Sequence, residues 1–513
     1  MEKLSVKKWL SLFMVFALLI TGALAGCSND SKTNTESKDN DVADSSKPLE
    51  IKMVLPLFEE VPDMKNQFWT EFQKRTNTKL DIEWVPSGDF DTKFDLVLSS
   101  GALPDVIWAP DINSPNLLKA IENGAFWEVG KFLGDFSDYP NFEKYSSPNA
   151  WRFSKVDDKI YGIPRNRPSV DQGIKIRKDW LDNLGLPVPT TLEEYADALE
   201  AMVKQDPDGN GKNDTIGHVH SYGGTGIHSA IAAGFGALDP AYDDEGGMIH
   251  YNLHPGFVDT VKYFRDLYSR GILPKEFSTM STTQTQELFE SGKAASYIRN
   301  IWRAWMFQDS IKKSEPNAEV IVLDLKGPKG PAVQLEPGVY GSLMLSSKLS
   351  EEKVKRILDY FEQTNTPEFF DFIFYGQEGV HYNLDDKGNK VTTDVGKVEI
   401  GTSVQQPLPL AYTTWMKSVD KNAPKEYNDR ILKETAHFEE IGKVNPFSYL
   451  KSDTWTSVWP RYQNEWQSNV VKTIVGEMSA DQFEKYIDSL KNKSEFKKAF
   501  KEFDKSYKAI WKK

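Results

Sequence analysis

Residues 9–26, WLSLFMVFALLITGALAG, form an uncharged, mostly apolar block between a basic start, KLSVKK at 3–8, and a polar run at 28–48. The polar run is rich in Ser, Asn, Asp and Lys and has no apolar period, so it reads as a flexible tether. From Leu49 the rhythm is that of a folded chain. Residues 49–55 alternate and predict a strand. Residues 63–76, DMKNQFWTEFQKRT, put Phe68, Trp69 and Phe72 on one face and predict a helix. A strand at 79–85, a helix at 89–100 stopped by Gly101, and a strand at 104–108 follow. Strands alternating with helices predict parallel sheets with crossover helices. Such sheets bind ligands beyond the carboxyl ends of their strands, where Trp108 falls.

A basic start, an apolar block and small residues before a cut site make a secretory signal. A permanent span is the competing reading, because the block is near the minimum length for one. Leu24, Ala25, Gly26 and Cys27 decide between them. They resemble the bacterial lipobox, which implies cleavage before Cys27 and acylation of its thiol. The protein is then lipid-anchored on the extracytoplasmic face of a cell membrane, as in a Gram-positive envelope. Several acyl chains hold a protein stably where one does not.

With 513 residues the chain exceeds one ordinary core, so two or more lobes are expected. Its 14 Trp and 20 Tyr suit either large cores or the walls of a ligand cleft. The net charge is −13, and residues 1–26 are themselves basic, so the chain from Cys27 onward is more acidic still. That excludes a general nucleic-acid binder. Cys27 is the only cysteine, which excludes an intramolecular disulfide and a cysteine-rich zinc site.

The order strand, helix, strand, helix, then SGALPDVIW, resembles the family 1 extracellular solute-binding proteins, the sugar-capturing subunits of ABC importers. KIYGIPRNRPSVDQGIKIRKDWLDNLGLPVPTTLEEYADAL (159–199) is similar to their first crossover between lobes. LFESGKAASYIRNIW (288–302) is similar to the return, PGVYGSLMLSSKLSEEKVKRILDYFEQ (337–363) to a third crossing, and FYGQEGVHY (374–382) to a stretch of the larger lipoprotein members. The resemblance spans about residues 49–500. It implies a two-lobed, periplasmic-binding-protein-like α/β fold, discontinuous in sequence, each lobe a mostly parallel sheet flanked by helices. The expected division is a signal at 1–26, a tether at 27–48, a first lobe at 49–165 with 298–338, and a second at 166–297 with 339–513. Thr190 or Thr191 caps the helix after the first crossing, with Glu193 and Glu194 at its positive end. The implied function is capture of oligosaccharides and their delivery to an ABC permease, by a monomer and without catalysis.

Aromatic and planar polar side chains gather near the expected crossings, as a sugar cleft requires. They are Trp108; Arg165, Asn166, Arg167 and Asp171; Arg299, Asn300, Trp302 and Arg303; Tyr340; and Tyr412 with Trp415. Each also has a plain reading as core packing or a solvated charge. Arg165, Arg167, Arg299 and Arg303 fork onto carboxylates of uronic-acid sugars, or else pair with acids of the protein. Asp206, Asp208, Asn210, Lys212 (by its carbonyl) and Asp214 stand at positions 1, 3, 5, 7 and 9 of an EF-hand-like loop, with Gly217 at position 12. Structural calcium is expected there, as the resemblance to alginate-binding members implies; an Asp/Asn/Gly-rich turn is the alternative.

A glycoside hydrolase is the rival function, because 75 acids guarantee carboxylate pairs somewhere. A sugar receptor or adhesin without a permease is a third. No H-E-x-x-H, G-x-S-x-G or Walker A motif occurs. Gly224, Gly226 and Ser229 have the spacing of a dinucleotide loop but lack its third glycine and its ribose-binding acid, so a turn opening a helix is the simpler reading.

Overall fold

Leu49, Ile51 and Met53 are buried while Glu50 and Lys52 are exposed, and from Met53 onward both faces of the strand are covered. The change comes where the strand gains its second neighbour, at Met53 opposite Val106. This is a computed structural model, which describes residues 47–511 apart from 221–224, 226, 387, 412–417 and 422. Residues 48–513 form one compact unit.

Nine strands build its two main sheets: β1 (Leu49–Leu57), β2 (Thr78–Pro86), β3 (Val106–Ala109), β4 (Gly162–Asn166), β5 (Gln172–Arg177), β6 (Ile216–Val219), β7 (Ala294–Asn300), β8 (Val320–Val322) and β9 (Val339–Leu345). The first sheet has the order β2–β1–β3–β9–β4 and the second β8–β5–β7–β6. β1 runs parallel to β2 and β3, and β6 parallel to β7. β9 is antiparallel to β3 and β4, and β5 to β7 and β8. Each sheet is therefore mostly parallel, as expected, with one strand running against the rest: β9 in the first sheet and β5 in the second.

The predicted elements begin and end where local chemistry stops them. The first helix is Gln67–Thr76, shorter at its start than the apolar pattern suggests, because the Asn66 side chain accepts the Trp69 N–H at 2.8 Å and caps it there. Its Phe68, Trp69 and Phe72 are fully buried. The next helix, Phe90–Ser100, ends at Gly101, whose φ of 65° reverses the chain. Thr191 caps Leu192–Lys204, and Glu194 reaches back to the Thr190 and Thr191 N–H groups, so the expected cap is a full capping box.

Each sheet has its own core. One gathers β1–β4 and β9 with the helix Glu351–Thr364. The second sheet packs against two clusters, one with the helix Pro255–Ser269 and the C-terminal helices Gln463–Val475, Ala480–Lys491 and Ser494–Trp511, the other with the helices Ala304–Ile311 and Lys425–Ile441. Residues 298–300 and 320–322 thus pair in the second sheet and 339–345 in the first, the reverse of the expected division, whereas the helices from Lys425 onward pack against the second sheet. β7 lies between β5 and β6, with Gln172 opposite Asn300, so 288–302 is not a return to the first lobe. The return is β9, which fills the gap between β3 and β4.

Candidate functional site

The carboxyl end of β3 and the amino end of β9 lie side by side, with Ser342 opposite Ala109. A register shift between Val339 and Ser342 bulges β9 and re-aims Tyr340. Gly341 makes that bulge possible: its φ is +70°, and a Cβ there would meet Trp108 Nε1 at 2.3 Å. Trp108 Nε1 donates to the Tyr340 carbonyl at 2.8 Å, and the two rings stack with centroids 5.0 Å apart. Trp108 is itself buried, so it supports the Tyr340 ring from the core side. Phe58, at the end of β1, lies 6.2 Å from the Tyr340 ring and is 47% exposed.

Arg165 and Arg167 lie over the Tyr340 ring, at 5.5 and 5.0 Å from its centroid. Arg165 is committed to main chain. Its Nε donates to the Leu408 carbonyl at 3.1 Å and its Nη2 to that of Gln405 at 3.0 Å. Burial pulls its pKa down to about 10. Asn166 donates through Nδ2 to the Leu410 carbonyl at 2.7 Å and to Ser146 Oγ at 3.0 Å, while its buried Oδ1 has no partner among the described residues. Arg167 Nη2 meets Asp171 Oδ1 at 2.5 Å. Asp171 is a hub: Asn300 Nδ2 donates to its Oδ2 at 2.7 Å, Gln172 Nε2 donates to the same oxygen at 2.6 Å, and the Ile301 N–H donates to its carbonyl. One carboxylate thus ties the first crossing to the end of β7.

Beyond β7, Arg303 sits over the Trp302 ring at 4.7 Å. Trp302 borders a cavity of about 260 Å³, together with Glu59, Phe374, Gln405, Asp420 and Lys421. Beneath, Lys175 is fully buried and donates through Nζ to the Arg299 carbonyl at 2.6 Å. Burial first, and Arg299 and Arg303 next, hold the Lys175 ammonium well below its ordinary pKa, against the pull of Asp171. On the other side of β6 and β7, Tyr195 Oη lies 3.0 Å from His218 Nδ1 and 2.5 Å from Ser296 Oγ.

Phe58, Glu59, Lys175 and Gln405 were missed from sequence. Phe58 obeys the rule that pointed to Trp108, since it follows a parallel strand directly; the others have no local signal. Cys27, Gly224, Gly226, Tyr412 and Trp415 lie outside the described residues. The helix after the Gly-rich stretch is the short Ser229–Gly234, capped by His228 Nδ1, which accepts the Ala230 N–H at 2.9 Å.

The Asp206–Asp214 loop folds on its own acids. Asp206 accepts the Asn210 and Gly211 N–H groups at 3.0 and 2.8 Å. Asn210 Nδ2 bridges Asp208 at 2.7 Å and Asp214 at 3.2 Å, and its Oδ1 accepts the Lys212 N–H at 2.7 Å. Burial and the neighbouring Asp206 and Asp214 push the Asp208 carboxyl up. Gly217 belongs to β6, and a Cβ there would meet Ile272 Cγ2 at 2.7 Å, so no acid fits position 12. Among the described residues no cluster of three or more His, Cys, Asp or Glu has metal-holding geometry. The loop offers hard oxygen donors on one turn, fewer than the about six to eight that calcium takes.

Two mixed sheets with separate cores, joined by crossing strands beside a cavity, define a binding fold, and the family model for bacterial extracellular solute-binding proteins matches residues 59–364. The chain belongs to that family. The polygalacturonan/rhamnogalacturonan-binding protein YtcQ of Bacillus subtilis is 30% identical over 98% of this chain and 99% of its own. Lipoprotein LipO of the same organism is 28% identical over 98% of both chains. The solved structure of an EF-hand mutant of the Streptococcus pneumoniae substrate-binding protein FusA, in complex with fructo-nystose, has the same fold, with a TM-score of 0.60 at 18% identity over 90% of this chain and 99% of that one. No helix among the described residues is long and apolar enough to cross a membrane.

Proposed function

We propose that the protein captures oligosaccharides, uronic-acid-containing chains among them, outside the membrane and delivers them to the permease of an ABC importer. The carrying observation is the pairing of half-open aromatic rings with guanidinium groups: Trp302, which borders the cavity, beside Arg303, and Phe58 and Tyr340 beside Arg167 at the end of the first sheet. Sugar C–H faces stack on such rings, and planar donors read their hydroxyls. YtcQ supports an acidic polysaccharide fragment as ligand and FusA an oligosaccharide. The ligand favours the closed form by contacts that the open form lacks. The lobes divide as the sheets do, and the chain acts as a monomer without catalysis. Lipid on Cys27 holds it at the membrane, which LipO supports, and calcium in the Asp206–Asp214 loop is structural, which the EF-hand of FusA supports.

Tryptophan fluorescence titrated with a panel of neutral and acidic oligosaccharides tests the reading. Saturable binding of at least one is expected; no binding across the panel overturns it. New reducing ends after incubation would instead establish a hydrolase. Metabolic labelling with a fatty acid tests the anchor: the native protein should carry the label and Cys27→Ser should not, and an unlabelled native protein would refute lipidation.

A further inference from the structure

We propose that Arg299 and Arg303 form a carboxylate-reading fork beside Trp302, at the edge of the cavity, taking the acid group of a uronic-acid residue whose ring lies against Trp302. The inference rests on the oligosaccharide reading and assigns its acid-specific part. Four arginines gather around the site, and the structure divides them into two pairs. Arg165 is spent on the Leu408 and Gln405 carbonyls, and Arg167 on Asp171. Arg165 Nη1, Arg167 Nε, Arg299 Nε and Arg303 Nε are all buried without a hydrogen-bond partner among the described residues, so the pairs differ in the bonds they do make: neither Arg299 nor Arg303 has an ion pair or a side-chain bond to main chain there. Arg303 makes one long bond, from Nη1 to Gln286 Oε1 at 3.5 Å.

Arg299 and Arg303 share their surroundings with the fully buried Lys175, whose Nζ donates to the Arg299 carbonyl, and with the acids Asp171 and Glu290. Asp171, the nearest carboxylate hub, already serves Arg167, Asn300 and Gln172. Like charges held together away from water are costly unless an anion joins them. A carboxylate matches the planar donor fork of arginine, and bonds between two charged groups are about twice as strong as neutral ones. Arg303 already lies over the Trp302 ring, and that ring borders the cavity. A pyranose against Trp302 therefore carries its exocyclic carboxylate into reach of the fork.

Calorimetry of the whole mature protein with trigalacturonate and with its methyl ester separates charge from ring shape. The acid should bind about tenfold tighter or more, and the gap should narrow at high salt. Arg299→Gln and Arg303→Gln should each weaken the acid about tenfold and leave the ester within about twofold, whereas Arg303→Lys, which keeps charge but not the fork, should fall between. An ester that binds as tightly as the acid, or variants that weaken both ligands alike, would overturn the fork. The wild-type comparison decides even if a variant does not fold. If neither probe binds and neutral oligosaccharides do, the fork falls alone; if no oligosaccharide binds, the reading beneath it falls too.

Discussion

At the end of the first sheet, Trp108, Tyr340, Arg165 and Asn166 use one another's polar atoms and those of the 405–410 segment. At the end of the second sheet, Arg299, Trp302 and Arg303 stand over the buried Lys175 with few bonds made. The first wall makes most of its bonds within the protein, though Arg165 Nη1 and Asn166 Oδ1 there have no partner; the second makes fewer and is left electrostatically open. The difference teaches where selectivity resides. The wall with most of its bonds made supplies shape and stacking, and specificity for charge falls to the wall with fewer.

Acid is the strongest way to break this contrast. Burial holds His218 at about 4, and His228 and His250 at about 3, below the ordinary 6.5, and all three belong to the second lobe. Their neutral forms stabilise the fold fully above about pH 6.5. That contribution is lost as pH falls toward the folded values, at up to about 1.4 kcal/mol per pH unit for each. Hydrogen exchange at about pH 5 against about pH 7.5 should therefore show β5–β7 losing protection before β1–β3. Equal loss in both sheets would refute the contrast.

Asp171→Ala comes next. It strips a buried carboxylate from Arg167, Asn300 and Gln172 and should cost about 3 kcal/mol in urea unfolding. A loss under about 1 kcal/mol would mean that the walls are not tied through this residue. The smallest effect is calcium. If the Asp206–Asp214 loop binds it, a tenfold excess over Kd should stabilise the protein by about 1.4 kcal/mol, and Asp208→Ala should abolish the gain. An unchanged melting curve on adding calcium to stripped protein would dismiss the ion. A gain confined to β6, which follows the loop, would sharpen the contrast between the sheets.

Much of the fold was legible because its signals are local. The alternation of Leu49, Ile51 and Met53, the Gly101 stop and the Thr191–Glu194 box each act within a few residues. Sheet membership was not. Nothing in residues 294–300 or 339–345 says which sheet they enter, since both strands are apolar and buried on both faces for most of their length. The site was legible as a set of residue types and opaque as a set of roles. Arg165 and Arg299 look alike in sequence. What separates them is a pair of carbonyls 240 and 243 positions from Arg165. Lys175 gave no sign, because in the strand Gln172–Arg177 it reads as one more polar position beside Gln172 and Arg177 until its burial and its bond to the Arg299 carbonyl are seen.

The place of β9 between β3 and β4 also sets an order of assembly. Every strand of the second sheet lies in the uninterrupted stretch between β4 and β9, so that sheet can pair as its chain emerges. The first sheet cannot. Asn166 waits for Val339, and Trp108 for Leu343. Until β9 arrives, β3 and β4 present open edges of the kind that invite pairing with another chain. Such long-range contacts also form slowly. The first sheet thus completes its pairing after the second, and until β9 closes it the newly made chain carries open edges prone to aggregate.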